Sequence, residues 1–580
     1  MGKGYANEKS IQIMIALLKK HAIKKIIASP GTTNFSFVNS VQNDDYFEIY
    51  SSVDERSAGY IACGLAEESG EPVVLSCTGA TASRNYNSAL TEAYYRKLPI
   101  LALTSTQPEV KIGHNVAQVI DRRELINDTY RVSVQIPIIH DSEEEWGYTS
   151  KMNEALLALR RNGGGPAHIN LTTSYSHDYK TDKLPDVQFV ERVTINDELP
   201  SLDNKKVAVF VGAHSKWDEK LTEAVEKFCE KYNAVVIGDR TSNYQGEYGV
   251  MASLVTSQDQ YYAKCRKMDV LIHIGNVSGA YINLSPTQVW RVNPDGDVVD
   301  TFKKLRYTFD MEEMNFFEMY NEKSNGEISD CTYYKEWKNE YDNLINQMPE
   351  LPFSNVWVAR KIIDKLPDNS ILHLGILNSL RSWNFFETDK KLFGYSNTGG
   401  FGIDGCTSSL IGASLANKDK AHYGVIGDLS FFYDMNSLGN RHVPGNIRLI
   451  VVNNGVGTEF KNYNHHAAAL GESADNYIAA RGHFGNKSKE LLKNYAENLG
   501  FTYMSASNKE EFEQQIEEFL DESILDKSII FELFTNSEDE SEALRTIKNI
   551  EKDAGTTAKN MARNILGEKG KQVIKNIIKK

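Results

Sequence analysis

Apolar positions along the chain switch repeatedly between two spacings. "EKSIQIMIALLKKHAI" carries them at helical intervals, whereas "KKIIASPG" and "YFEIYSSV" are short strand-like runs bounded by turn residues. In "DERSAGYIACGLAEESG", Ala58, Ile61, Ala62, Leu65 and Ala66 stand at i, i+3, i+4, i+7 and i+8, which predicts a helix closed by Gly70. "PVVLSCT", a helix from about Asn87 to Lys97, and "PILALTS" continue the alternation. "PSLDNKK" (200–206) reads as a linker, after which "VAVFVGA", "AVVIGD" and "VLIHIGN" start a second series. The acidic, aromatic stretch around 310–350 predicts helices and a crossing connection, and "SILHLGI", "AHYGVIGD" and "IRLIVVNN" form a third series. Strands alternating with helices predict parallel sheets covered on both faces. The expected fold class is therefore α/β, with three doubly wound parallel-sheet domains at 1–190, 200–345 and 350–540.

The last forty residues break this pattern. From Ser541 to Lys580 there are ten Lys/Arg against four Asp/Glu. Ala558, Met561, Ala562, Ile565 and Leu566 share one helical face, and Val573, Ile574, Ile577 and Ile578 another. This predicts a basic helical tail over 541–580. The expected alternatives are packing on its own protein or on a partner subunit, binding to a membrane surface, or disorder.

A net charge of -14 argues against nucleic-acid binding. The six cysteines form no C-x-x-C pair, so neither a zinc site nor a disulfide framework is indicated, and the expectation is reduced cysteines in a cytoplasmic protein. The N-terminus lacks a signal-peptide cleavage pattern, and "IQIMIALL" is too short to span a bilayer.

Chemistry concentrates at the ends of two strand-like runs. Asp428 follows "YGVIG" and Asn454 follows "LIVVN", with 454 − 428 = 26 residues between them, room for a crossover helix. In parallel sheets ligands bind beyond the carboxyl ends of strands. A carboxylate, an amide oxygen and a backbone carbonyl there suit a hard cation such as Mg²⁺, which keeps phosphate oxygens as further ligands. Gly427, Gly455 and Gly457 would let the backbone approach a diphosphate closely. Taken alone, G-D followed by N-N is equally consistent with ordinary turn chemistry.

The longer stretch "GDLSFFYDMNSL…LIVVNNGVGTEF" resembles the diphosphate-binding motif of thiamin-diphosphate enzymes. Upstream, "SPGTTN", "DERSAGYIACGLA", "CTGATASRNYNSALTEA" and "HNVAQVID" follow in the same order, and "SNTGGFGIDG" precedes the second half-site. Within that family the chain is similar to the 2-succinyl-5-enolpyruvyl-6-hydroxy-3-cyclohexene-1-carboxylate synthases, over roughly residues 8–540. The resemblance implies a pyrimidine-binding domain at 1–190, a central domain at 200–345 and a diphosphate- and Mg²⁺-binding domain at 350–540. It implies thiamin diphosphate and Mg²⁺ as cofactors, with Asp428, Asn454 and the Val456 carbonyl on the metal. Glu55 and Gln118 would be catalytic. Cofactor contacts would come from Pro30, Glu55, Thr78 and Gly79, from Asn378, Ser379, Leu380, Gly402 and Ile403, and from Gly427, Asp428, Leu429, Ser430, Asn454, Val456 and Gly457. Ile403 would be the apolar prop that bends the cofactor.

The implied reaction decarboxylates a 2-oxo acid and transfers the acyl-anion equivalent to an acceptor, forming a carbon–carbon bond. A homo-oligomer, at least a dimer with active sites between subunits, is implied as well. The alternatives are a decarboxylase that releases an aldehyde and a non-catalytic protein of the same fold. Candidate substrate contacts are Arg84, His114, Arg381, Glu459, Phe460, His465 and His466. The two adjacent histidines either cover the pocket and move protons or form an exposed helix start. Thr33, Gln107 and Thr398 stand where the synthases carry arginine, and Arg381 falls two residues early. These departures predict a smaller donor, such as pyruvate, or a less acidic acceptor, such as a sugar derivative. Arg122 and Arg123 read as surface partners of acidic residues.

Overall fold

The computed structural model describes residues 4–280, 282–323, 329–482, 488–522 and 526–553. The tail residues Ala558 to Ile578 that carry the two predicted helical faces lie outside the described residues. The chain divides into two compact units, one of Met1–Leu199 with Gln288–Glu312, the other of Pro200–Thr287 with Glu313–Lys580.

In the first unit, strands β1 (Lys25–Ala28), β2 (Glu48–Ser51), β3 (Val73–Thr78), β4 (Ile100–Thr106), β5 (Val132–Ile136) and β6 (Ala167–Thr172) form one parallel sheet in the order β2-β1-β3-β4-β6-β5. β3, β4 and β6 are buried throughout, as parallel strands covered on both faces must be. One face packs Ile13, Met14, Leu17 and Leu18 of the helix Lys9–Lys20; the other packs Ala58, Ala62 and Ala66 of the helix Glu55–Ser69. That second helix begins where expected because the Asp54 carboxylate accepts the Arg56 and Ser57 N–H groups. It ends at Gly70, whose φ of 67° is left-handed.

A middle set of parallel strands follows. β7 (Glu191–Thr194), β12 (Ser285–Asn293) and β13 (Leu305–Asp310) run in the order β12-β13-β7. β8 (Val207–Val211), β9 (Val235–Gly238), β10 (Gly249–Met251) and β11 (Lys267–Ile274) run as β10-β9-β8-β11. The stretch at 310–350 holds the helices Glu313–Lys323 and Thr332–Gln347, as its composition predicts.

The second unit also holds β14 (Ser370–Leu374), β15 (Leu392–Tyr395), β16 (His422–Gly427), β17 (Ile447–Asn453), β18 (Thr502–Ala506) and β19 (Ile529–Phe534), in the order β15-β14-β16-β17-β19-β18. The strand order reverses between β14 and β16, and in the first sheet between β1 and β3. A doubly wound sheet opens a crevice at such a point, because the connecting helices leave to opposite faces. Three parallel α/β sheets are thus present, in accord with the sequence. All six cysteines are buried and free, and among the described residues no helix is long and apolar enough to cross a membrane.

Candidate cofactor site

The β16–β17 register pairs Gly427 with Val452, so Asp428 and Asn454 emerge at the same carboxyl edge. Asp428 opens a short helix, Asp428–Asp434, that crosses back toward β17. Its side chain is buried at 4% exposure. One carboxylate oxygen accepts the Gly455 N–H at 2.8 Å and the other accepts the Leu429 N–H at 2.9 Å. Burial nevertheless pushes the Asp428 carboxyl up to about 6. Among the described residues no cation pairs with this acid, and a divalent cation would supply that positive partner.

A cleft of about 120 Å³ opens between the ends of β14 and β16. Asn378 and Ser379 border it from the β14 side, Ile403 from the preceding turn, and Gly427, Leu429 and Ser430 from the β16 side. Asn454, Val456, Gly457, Glu459 and Phe460 complete it from the loop after β17. Gly455 has a φ of 69°, a left-handed turn suited to glycine, and lies immediately before Val456. A Cβ on Gly457 would approach the Ala479 carbonyl oxygen to 3.1 Å and the Phe460 ring to 3.1 Å. Nothing lies within 4 Å of a Cβ built on Gly427, so that wall is open toward the cleft. Carboxylate, amide and carbonyl oxygens at the edge of a small, largely apolar crevice suit a hard, oxygen-preferring cation and a diphosphate. The Ser430 hydroxyl donates to the Ile403 carbonyl at 2.7 Å, fixing the loop that carries the isoleucine.

Several expected contacts fall elsewhere. Leu380 is fully buried in the core. Gly402 flanks Ile403, but a Cβ there would meet Asp404 rather than the cleft. Arg381 is engaged: its two terminal nitrogens donate to Glu459 at 2.8 and 3.0 Å. His465 takes the helix-start alternative, its ring accepting the Ala467 N–H at 3.0 Å, and His466 is exposed. Phe460 stacks edge-on against His465, centroids 5.3 Å apart.

Sequence reasoning missed Glu540. It borders the cleft from the helix Ser537–Ile547, at the last position of the stretch read as the 350–540 domain. Its carboxylate accepts the Asn355 N–H at 3.1 Å and the Thr535 hydroxyl at 2.8 Å. Burial pushes its carboxyl up to about 7, with Asp539 and Asp428 adding repulsion. Leu377, just before Asn378, was also unforeseen; its φ of 69° is strained for a non-glycine residue.

In the first unit, Pro30 follows β1, Glu55 follows β2, Thr78 ends β3 and Gly79 follows it; β1 pairs with both other strands, so these residues share one sheet edge. Glu55 opens its helix, half-buried, and accepts the Asn85 side-chain N–H at 3.2 Å. Among the described residues the buried Thr78 hydroxyl has no hydrogen-bond partner, an orphan polar atom at this edge. Gly31 is tight against it: a Cβ would come within 2.1 Å of Thr78 Oγ1. Gln118 is exposed in a left-handed turn (φ 62°), and His114 is exposed in the same loop. Arg84 donates to the Asp121 carbonyl at 2.9 Å.

The surface reading of Arg122 is overturned. Arg123 does pair with Asp121 at the surface, but Arg122 is 3% exposed and reaches Thr104 Oγ1 at 2.7 Å and His168 Nε2 at 3.0 Å. It ties the Gln118 loop to β4 and β6. Thr33 is buried and donates to the Ser105 carbonyl at 2.5 Å, and Thr398 is buried.

Two family models match the chain. Residues 9–125 match the N-terminal TPP binding domain of thiamine pyrophosphate enzymes, and residues 379–526 match the C-terminal TPP binding domain. The 2-succinyl-5-enolpyruvyl-6-hydroxy-3-cyclohexene-1-carboxylate synthase of Bacteroides fragilis is 29% identical over 566 residues, covering 93% of this chain and 98% of the relative. The synthase of Bacteroides thetaiotaomicron is 29% identical with the same coverage, and that of Christiangramia forsetii is 27% identical over 90% of this chain and 95% of its own. Among solved structures, the thiamine diphosphate-dependent 4-hydroxybenzoylformate decarboxylase of Rhodococcus jostii RHA1 aligns at 15% identity and a TM-score of 0.40, covering 91% of this chain and 99% of that one.

Proposed function

Because the chain is a thiamin-diphosphate enzyme that carries both cofactor-binding domains, we propose that it decarboxylates a 2-oxo acid and transfers the resulting acyl-anion equivalent to an acceptor, forming a carbon–carbon bond. The observation that carries this reading is the pair of strand ends at β16 and β17, where a buried acid without a strong positive partner meets an amide and a turned backbone carbonyl. The full-length similarity to synthases, rather than to one domain of them, favours carbon–carbon bond formation over aldehyde release.

Asp428, Asn454 and the Val456 carbonyl would hold Mg²⁺, and Gly427 and Gly457 would admit the diphosphate. Ile403 would press on the cofactor from its turn, and Thr78 and Gly79 would accompany Glu55 at the pyrimidine half. Thiamin diphosphate, when bound, supplies the nucleophilic carbon and the electron sink for decarboxylation. The chain's own part is positioning and proton handling. Glu55 would hydrogen-bond the cofactor's aminopyrimidine ring, its carboxylate positioned by the Asn85 amide. Gln118 offers an amide from a turned, exposed backbone. The Asp54 cap fixes the helix start that aims Glu55.

In the resembling enzymes the two half-sites come from different subunits, so a dimer of this chain is the minimal working unit of the proposal. The buried Thr33 and Thr398 present no charge to a substrate, which favours a donor smaller than a dicarboxylate or a less acidic acceptor.

The test is a panel of 2-oxo acids with purified protein, thiamin diphosphate and Mg²⁺, following carbon dioxide with and without candidate acceptors. Acceptor-dependent release supports the proposal. Equal release without an acceptor replaces it with aldehyde formation, and no release from any donor refutes it.

A further inference from the structure

One buried amide at the cofactor cleft joins three helices. Asn355 borders the cleft at 3% exposure and opens the helix Asn355–Ile362, which Ser354 caps by accepting the Trp357 N–H at 3.2 Å. The Asn355 backbone N–H donates to Glu540 at 3.1 Å. Its side-chain nitrogen donates to the Ser379 hydroxyl at 3.2 Å, and its side-chain oxygen accepts the Trp383 indole N–H at 3.2 Å. Ser379 and Trp383 stand four residues apart in the helix Asn378–Trp383, so one face of that helix carries both to Asn355. Both are buried with it.

The direction of each bond follows from the groups that make it. An indole N–H only donates, so Trp383 requires the Asn355 oxygen on its side and turns the amide nitrogen toward Ser379. An amide nitrogen only donates as well, so the Ser379 oxygen is the acceptor and its own proton is left for another partner. Among the described residues that hydroxyl donates to no acceptor. Ser379 borders the cleft, and a buried donor there is satisfied by an acceptor in the cleft, most strongly by an anionic oxygen. We infer that Asn355, locked by Trp383, is a positioning residue that makes the Ser379 hydroxyl a donor to a phosphate oxygen in the cleft. This rests on the assignment of the cleft to the diphosphate half of the cofactor. It adds Asn355 and Trp383 to the residues on which that half-site depends.

The test measures binding, not turnover. Inorganic pyrophosphate and thiamin diphosphate, each with saturating Mg²⁺, are titrated calorimetrically into the full chain and into Ser379→Ala, Asn355→Asp, the two changes combined, and Trp383→Phe. Asn355→Asp puts a second acceptor where the amide donated, so the Ser379 proton turns to the new carboxylate and away from the cleft. Losing a hydrogen bond to a charged oxygen weakens pyrophosphate binding roughly ten- to hundredfold, in Ser379→Ala and Asn355→Asp alike. In the Ser379→Ala background Asn355→Asp should cost no more than about threefold further, because the proton it redirects is gone. Trp383→Phe frees the amide to turn and should weaken binding about two- to tenfold; it decides alone if Asn355→Asp does not fold. An Asn355→Asp loss just as large in the Ser379→Ala background overturns the inference, since added charge or misfolding then acts without the hydroxyl. Unaltered pyrophosphate affinity in any single variant, or no pyrophosphate binding by the unaltered protein, overturns it too. Pyrophosphate binding that follows the expected pattern, without thiamin diphosphate binding, would sink the proposed function and leave the role of Asn355 standing.

Discussion

The Asp428 carboxylate accepts the Gly455 N–H at 2.8 Å, so the end of β16 is bonded to the turn that follows β17. One side chain therefore both shapes the metal loop and presents the charge. Asp428→Asn keeps an acceptor for Gly455 but removes the negative charge. The expected result is a Mg²⁺ requirement for half-maximal cofactor loading raised by more than the roughly 10–100-fold that an outer-shell change costs. Fluorescence quenching by thiamin diphosphate at graded Mg²⁺ measures it. An unaltered Mg²⁺ requirement would remove Asp428 from the metal site.

Glu55, at the carboxyl edge of β1–β3, is held by the Asn85 side-chain amide. If it handles the proton at the cofactor ring, Glu55→Gln lowers kcat by about 10²–10⁴-fold, the range for a positioned acid–base group. Cofactor affinity should change far less. Steady-state kinetics with whichever 2-oxo acid the panel identifies separates the two. A variant with full kcat would return Glu55 to the role of a helix first-turn acid.

Co-expression of differently tagged Glu55→Gln and Asp428→Asn chains tests whether two copies share each site. Each variant alone should be nearly inactive. In a randomly mixed dimer about a quarter of sites receive both unaltered half-sites, so about that fraction of activity returns. No recovery from isolated doubly tagged dimers would mean that each chain works alone.

Glu540 gives a stability signature. Its folded-state carboxyl sits at about 7, above the ordinary 4.5. Between these values the folded state binds more protons than the unfolded one, so stability falls as pH rises from about 4.5 to 7 and levels off above. The difference of about 2.5 units corresponds to roughly 3 kcal/mol. In cofactor-free protein, Glu540→Gln should flatten this slope and be the more stable form above pH 7. Urea midpoints at pH 5, 6, 7 and 8 measure it; parallel curves for the two proteins would contradict it.

The fold was legible because its signals are local and repeated. Unbroken apolar runs such as residues 449–452, and a helix start such as Asp54, need no tertiary context to be read. The strand-end residues Asp428 and Asn454 were legible for the same reason. What escaped depends on burial and pairing across distance. Arg122 carries the same charge as Arg123, yet the chain buries it against His168, 46 residues away. Glu540 looks like any acid of a charged helix until the fold places it against Asn355, 185 residues earlier. Arg381 reads as an available clamp only while its partner Glu459, 78 residues on, is unseen.

The most direct measurement of the central claim is calorimetric titration of thiamin diphosphate into the purified protein with Mg²⁺ and again after chelation by EDTA. The account predicts one equivalent bound per chain, with binding lost on chelation and restored by added Mg²⁺. Absence of binding, or binding indifferent to the metal, would contradict it.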